Sequence, residues 1–404
     1  MEQSLSPAIP TSRAGPTQGT GSWTALLRRR TTSGEWLPEI DGLRFIAIVS
    51  VLLFHMQGQL EHHYALTIRP PFTWFARACG FGNRGVPLFF VISGFILALP
   101  FARHHLLAAP APSLRKYFLR RLTRLEPPYL LNLALVAAGI AIADHVSWRA
   151  LLPHLAASAA YLHYAIYREP STINSVAWSL EVEVQFYLLA PLLCLLFAVR
   201  RAALRRAILI AAMLASALLQ LATGLSMFTL AGDLQYFLAG LLLADLYLTA
   251  MPRWPRSRRW DLLSLIGWPC FFLLGDRLPG LWLPLLALPL CVAALRGMVT
   301  SAILRTPWIA VTGGMCYTIY LWHAPVLTAV GRALDHVAFF TPANYALLFV
   351  LQGVVKIIAV ALVCLLLFVV VERHCMDPKW PRKLATRLRA VVAPVARDVE
   401  NSNA

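Results

Sequence analysis

Apolar residues fall in long runs along this chain, and the polar ones gather between them. The run at 355–371, VKIIAVALVCLLLFVVV, holds one charge in seventeen residues. Ordinary domain cores use shorter stretches, so such a run reads as a membrane helix. Runs of this kind recur and predict ten helices, near 43–56, 85–101, 126–143, 176–198, 207–223, 229–248, 261–275, 281–295, 307–328 and 345–371. Segment 147–167, SWRALLPHLAASAAYLHYAIY, is apolar on balance but carries Arg149, His154, His163 and three tyrosines. It predicts an interfacial or re-entrant helix rather than a span. The pattern is that of an all-α integral membrane protein with about ten transmembrane helices, its membrane domain covering 33–378.

Lysine and arginine give the orientation, because they collect on the cytoplasmic side. Segments 1–42, 102–125, 199–206, 249–260, 296–306 and 372–404 carry 27 of them, whereas the alternating set 57–84, 144–175, 224–228, 276–280 and 329–344 carries 7. Adding or removing one span would put the basic loops 199–206 and 249–260 on the wrong side. Both termini are therefore expected in the cytoplasm. The net charge of +17 takes on a different meaning in this setting. In a soluble protein it would suggest nucleic acid, but no basic surface interleaved with aromatic residues is present for bases to stack on. With 58% hydrophobic and only 14% charged residues, the excess is a topology signal and an attraction to anionic lipid. Residues 1–32, rich in Ser, Thr, Pro and Gly, predict a disordered cytoplasmic tail. Arg28–Arg30 lead into polar residues, so the apolar segment from about Leu43 reads as an uncleaved signal anchor. The tail 379–404 opens with KWPRKLATRLR, a basic helix suited to an anionic membrane surface. The seven cysteines are scattered through apolar runs without a C-x-x-C, which fits small buried hydrophobes and neither a disulfide framework nor a zinc site.

Charges at membrane depth are costly and mark sites, so each carries weight. Arg44 and His55 lie eleven residues apart in an apolar stretch, which on a helix places them on one face about 16 Å apart along the axis. Arg121 and Arg124 stand about one turn apart, with Arg120 within a turn of Arg124, before Pro127 and Pro128. Such guanidiniums anchor a loop at the membrane or form a fork for phosphates. Glu181 and Glu183 enter the start of a span two residues apart, about 200° around a helix. They cannot both face one cavity; one is expected towards the site and the other towards an Arg or another helix. His323 sits in the ninth span beside Trp322 and before Pro325, and Glu372 reads as an interfacial charge beside Arg373. His62–His63 and His104–His105 lack a third ligand, so no metal is expected. No G-x-x-x-x-G-K-[ST], G-x-S-x-G or H-E-x-x-H occurs, which removes P-loop ATPases, serine hydrolases of that type and zincins.

Five segments together resemble the membrane acyltransferase 3 family over about 37–378: IDGLRFIAIVSVLLFH (40–55), GVPLFFVISGFIL (85–97), FLRRLTRLEPPY (118–129), VAWSLEVEVQFYLLAP (176–191) and YTIYLWHAPV (317–326). The resemblance implies transfer of an acyl group, usually acetyl, from cytoplasmic acyl-CoA to a hydroxyl of a saccharide or similar acceptor, in a bacterial inner membrane. It assigns His55 as general base, oriented or tuned by Arg44 or by Glu181 or Glu183. Arg121 and Arg124 would hold the CoA phosphates, and His323 the acceptor or a proton. Trp178 and Tyr187 are expected to contact substrate. Imidazole suits the removal of a hydroxyl proton near neutral pH. No metal or tightly bound cofactor is required, and acyl-CoA, acceptor and lipid are the expected partners. Glu126 departs from the family pattern and could pair with a neighbouring arginine. Residues 372–404 are too short for a soluble esterase-like domain, so acceptors reached through a fused second domain are not expected. The rival reading is a secondary transporter with Arg, His and Glu as a proton relay. Against it, the two halves show no internal repeat.

Overall fold

The computed structural model describes residues 36–64, 73–273, 281–340 and 345–377, with single positions at 27, 379–381, 383 and 386. Apart from these single positions, the tails 1–32 and 379–404 lie outside the described residues; among the described residues no strand occurs. The chain runs through α1 (Pro38–Tyr64), α2 (Thr73–Gly80), α3 (Gly85–Leu107), α4 (Leu114–Ala143), α5 (Trp148–Ala159) and α6 (His163–Tyr167). It continues through α7 (Trp178–Leu193), α8 (Ala202–Thr223), α9 (Leu230–Thr249), α10 (Arg258–Leu273) and α11 (Trp282–Arg296). After α12 (Val299–Leu304) and α13 (Pro307–Gly314) come α14 (Cys316–Leu334), α15 (Tyr345–Leu367) and α16 (Arg373–Cys375). Every apolar run is helical. Among the described residues, five stretches are long and apolar enough to cross a membrane: Thr73–Leu107, Leu114–Ala143, Ser175–Ala198, Ala202–Thr223 and Tyr345–Cys375.

Helices α3 and α9 form the centre of the bundle, buried on nearly all sides, as apolar-all-round helices are. They meet at glycines. A Cβ on Gly94 would collide with the Phe237 backbone, and one on Gly240 with the backbone of Val91 and Phe95. Small residues at a crossing let two membrane helices pack backbone to backbone. The outer helices leave apolar faces uncovered: Leu130, Leu135 and Ile142 on α4, Leu262, Leu265 and Ile266 on α10, and Val354, Ile358, Leu362 and Leu366 on α15 are exposed. Such faces are stable against lipid tails.

Local chemistry sets the helix ends. Ser113 caps α4 by accepting the Lys116 N–H at 3.4 Å, Thr229 caps α9 through the Gly232 N–H at 3.2 Å, and Gly224 ends α8 at φ +65°. Segment 147–167 forms two short helices, α5 and α6. Twelve residues of helix reach only about 18 Å, too short for a span.

Two expectations about the helices need correction. The ninth span is not one helix: it breaks at Met315 after the Gly313–Gly314 pair, into α13 and α14. Gly313 lies against the backbone of Asp41, where any side chain would clash, so the glycines serve the packing of α13 on α1 and weaken the helix there. Glu372 is not an interfacial charge. A π-helical turn at Phe368–Glu372 follows α15 and carries Glu372 fully inside, where its Oε2 accepts the Thr318 N–H at 3.2 Å and the Thr318 hydroxyl at 2.5 Å. Thr318 is the third residue of α14, so this carboxylate satisfies an amide that the helix break left without a partner.

Candidate active site

Five helices close around one cavity of about 850 Å³, its open mouth included. Helix α1 brings Arg44, α4 brings Arg121 and Arg124, α7 brings Glu183 and Tyr187, and α14 brings Tyr317 and Tyr320; α3 supplies Ser93. Three guanidiniums therefore face one carboxylate. Each is held differently. Arg44 Nη1 donates to Asp41 Oδ1 at 2.5 Å, one turn earlier on α1, and Asp41 is steadied by the Trp36 indole at 2.8 Å. The Arg121 guanidinium lies 5.5 Å over the ring of Tyr187 and 5.9 Å from that of Tyr117, and the Tyr117 hydroxyl donates to the Tyr187 carbonyl at 3.2 Å. Stacking fixes the plane of a guanidinium while leaving its N–H groups to a ligand. Arg124 Nη2 lies 3.9 Å from Glu372 Oε1, so the inward turn after α15 steadies this cation from behind.

The two glutamates take different directions, as their spacing requires. Glu183 lines the cavity and accepts the Ser93 hydroxyl at 2.5 Å. Glu181 is buried on the other side of α7, where its Oε2 accepts the Tyr164 N–H of α6 at 3.1 Å. The sequence expectation that Glu181 takes part in the site is corrected to a contact with α6 outside the cavity. Trp178 also stays out of the cavity lining, edge-on to Phe90 and Phe228 at ring distances of 6.3 and 5.0 Å. Glu126 meets no arginine; its carboxylate accepts the Tyr161 hydroxyl at 2.9 Å.

One layer beyond the cavity wall, His55 and His323 meet with ring centroids 5.0 Å apart, and the His323 ring lies 5.7 Å from that of Tyr320. Both partners of His323 Nδ1 are carbonyls, Ile319 O at 3.0 Å and Tyr320 O at 2.7 Å. Carbonyls only accept, so Nδ1 carries the proton and Nε2 is the basic atom. Nε2 is buried without a hydrogen-bond partner. Tyr320 is pinned as well: its hydroxyl accepts from Ser179 at 2.6 Å and donates to the Val176 carbonyl at 3.1 Å.

Pro325 explains a further set of contacts. Lacking an N–H, it leaves the carbonyl of Leu321, four residues earlier, without its helical partner. Asn132 and Asn174 supply donors instead, at 3.0 and 2.9 Å, and Asn174 also donates to Asn132 Oδ1 at 2.8 Å. This clamp ties α4 and the segment before α7 to the helix that carries both Tyr320 and His323. Sequence reasoning missed Ser93, Asn132, Asn174, Ser179, Tyr317 and Tyr320. A proline inside an apolar run beside buried asparagines was the available signal for two of them.

The cavity thus gathers Arg44, Arg121, Arg124, Glu183 and Tyr187, with His55 and His323 adjacent to each other behind its wall. This is the set of positions that carries the family resemblance, and the family model described as an acyltransferase domain, acyltransferase 3, matches residues 37–369. The chain belongs to this family. Among relatives, a protein of Komagataeibacter xylinus named as the membrane-bound transacylase BcsY is 26% identical, over 93% of this chain and 92% of that protein. The O-acetyltransferase OatA of Staphylococcus aureus is 24% identical over 74% of this chain, which spans about half of that relative (52%). The peptidoglycan O-acetyltransferase OatA of Listeria monocytogenes is 29% identical over 42% of this chain and 26% of its own length. No solved structure matches. As an acyltransferase 3 protein, the chain is a membrane O-acyltransferase.

Proposed function

We propose that this acyltransferase 3 enzyme moves an acyl group from acyl-CoA to a hydroxyl of a saccharide or similar acceptor, in a bacterial inner membrane. Acetyl is the favoured group and a saccharide the favoured acceptor, because relatives are named as O-acetyltransferases, one of them of peptidoglycan. The observation that carries the donor reading is the cavity with three guanidiniums facing a single carboxylate. Asp41 pairs with Arg44 and Glu372 stands 3.9 Å from Arg124, whereas the planar Arg121 guanidinium, stacked on Tyr187, suits phosphate oxygens. Segment 102–125 belongs to the basic loop set, so in the ten-span topology the arginine end faces the cytoplasm, where acyl-CoA is found.

Arg121 and Arg124 hold the phosphates, and Arg44 extends the cationic wall inward. The thin pantetheine arm carries the thioester towards Tyr320 and the histidine pair. His55 takes the proton of the acceptor hydroxyl as its oxygen attacks the thioester carbonyl. The C–S bond then breaks, and the proton passes to the leaving CoA thiolate. His323, with its basic Nε2 next to the His55 ring, orients that base or holds the proton in transit. No metal or bound cofactor enters the scheme.

Acyl-CoA-dependent ester formation by the protein purified in detergent tests the reading. A transporter would form no product. His55→Ala in protein that still inserts should stop turnover while leaving CoA binding intact, and retained turnover would sink the base assignment.

A further inference from the structure

Past the histidine pair, on the side away from the arginines, α1, α14 and α15 share a seam of polar side chains that the acyl-transfer scheme leaves unused. Gln59 stands four residues after His55, one turn further along the same face of α1 and about 6 Å along its axis. Its Nε2 donates to the Thr328 hydroxyl at 3.0 Å, and its Oε1 faces Lys356 Nζ at 3.5 Å. Thr328 is exposed and Gln59 half-buried, whereas Lys356 is only 3% exposed at the middle of α15. Deeper into the α1–α15 contact, Tyr345 donates to Gln57 Oε1, and Gln57 Nε2 donates to Glu61 Oε2 at 3.3 Å.

Lys356 is the unusual member. It is the one charge in the most apolar run of the sequence, and burying an ammonium in such surroundings is costly unless an anion or several acceptors receive it. Among the described residues no carboxylate lies within 4.0 Å of it; Asp335, after the last turn of α14, acts from beyond that distance. Its hydrogen-bond partner is a neutral amide at the long end of the range. Gly331 packs against the ammonium, and a Cβ there would stand 3.4 Å from Nζ.

We propose that this seam is the acceptor subsite, and that Lys356 receives an anionic group of the acceptor, a carboxylate or a phosphate. The amide of Gln59 and the hydroxyl of Thr328 bind its hydroxyls. The separation of Gln59 from His55 is about the span of one sugar residue, so a saccharide anchored at Lys356 presents a neighbouring hydroxyl to the base. The proposal rests on the acyl-transfer reading and adds a charge requirement to the acceptor that the relatives' names do not contain.

The test uses the full chain in detergent with saturating CoA, which occupies the arginines. Thermal-shift titrations with methyl glucoside, methyl glucuronide and glucose 6-phosphate report affinity without needing turnover. The wild type should bind one of the two anionic sugars at least about tenfold more tightly than the neutral one, the value of a charge-assisted hydrogen bond. Which anion wins separates carboxylate from phosphate recognition. The preference should vanish in Lys356→Met and survive in Lys356→Arg, with CoA stabilisation unchanged in both. Equal binding of all three sugars by the wild type overturns the proposal, as does a preference that persists in Lys356→Met. If Lys356→Met does not fold, Thr328→Val at its exposed position decides: it should weaken all three sugars about threefold, and unchanged affinities overturn the subsite. Failure of CoA itself to stabilise the wild type strikes the donor reading instead, and the sugar preference is then read without it.

Discussion

Two clusters of arginines in the bundle are held differently. Between α8 and α9, Arg205 and Arg206 share one carboxylate: their Nε atoms reach the two oxygens of Asp245 at 2.5 and 2.7 Å. Arg205 also donates to the Val199 carbonyl at 2.6 Å, and Arg206 to the Thr249 hydroxyl at 2.9 Å. Arg205 and Asp245 are 2% and 0% exposed, and neither lines the cavity described above. At the other place, Arg44, Arg121 and Arg124 border open space. Arg44 holds Asp41 at 2.5 Å, but Arg124 has its carboxylate only at 3.9 Å, and Arg121 rests on aromatic faces rather than on an anion. A saturated buried pair ties two helices together. An unsaturated cluster facing a void has donors to spare for a ligand. Burial and charge are similar in both; the state of the hydrogen bonds separates structure from function.

Three substitutions break that contrast in decreasing order of effect. His55→Ala removes the proposed base and should lower kcat by about 10²–10⁴-fold, with KM for acyl-CoA little changed, in steady-state assays of the purified protein. Asp245→Asn strips the saturated pair of its anion and should cost about 3–5 kcal/mol of stability, because the buried Arg205 then lacks compensation. Thermal unfolding in detergent reads this loss, and KM for acyl-CoA should not change in the folded fraction. Arg121→Ala should do the reverse, raising KM for acyl-CoA about tenfold or more with little change in melting temperature. The gap between wild type and Arg121→Ala should narrow as salt rises, since screening weakens phosphate contacts.

The site arginines were legible beforehand, the pairing of Arg205 and Arg206 with Asp245 was not, and the unread parts share a cause. Apolar runs marked each long helix, because a bilayer-facing segment must be apolar over its whole length. The spacing of Arg121 and Arg124, and the eleven-residue step from Arg44 to His55, gave faces that the structure brings to one cavity and to the histidine pair. The two glutamates were separable by angle, but nothing local said that Glu183 faces inward and Glu181 meets α6; the neighbours α3 and α6 decide that. Glu372 was misread for the same reason. Its inward turn depends on a π-helical turn and on the amide that the break at Met315 leaves open, and both are tertiary events. Ser93 and Tyr320 carried no spacing signal at all.

The smallest predicted effect discriminates most finely. Arg120 precedes Arg121 on α4, carries the same charge, and is exposed rather than part of the cavity lining. If the donor were held by the general positive potential of the basic loop, Arg120→Ala and Arg121→Ala would weaken acyl-CoA alike, since each removes one charge at nearly the same place. If it is held by guanidiniums with open donors inside the cavity, Arg120→Ala should change KM by less than about twofold, the modest value of an exposed charge in water. The paired measurement cancels folding and insertion effects common to both variants. Equal losses would move the donor contact from the cavity to the membrane surface, and would leave the three inward arginines as supports of the bundle, like Arg205 and Arg206.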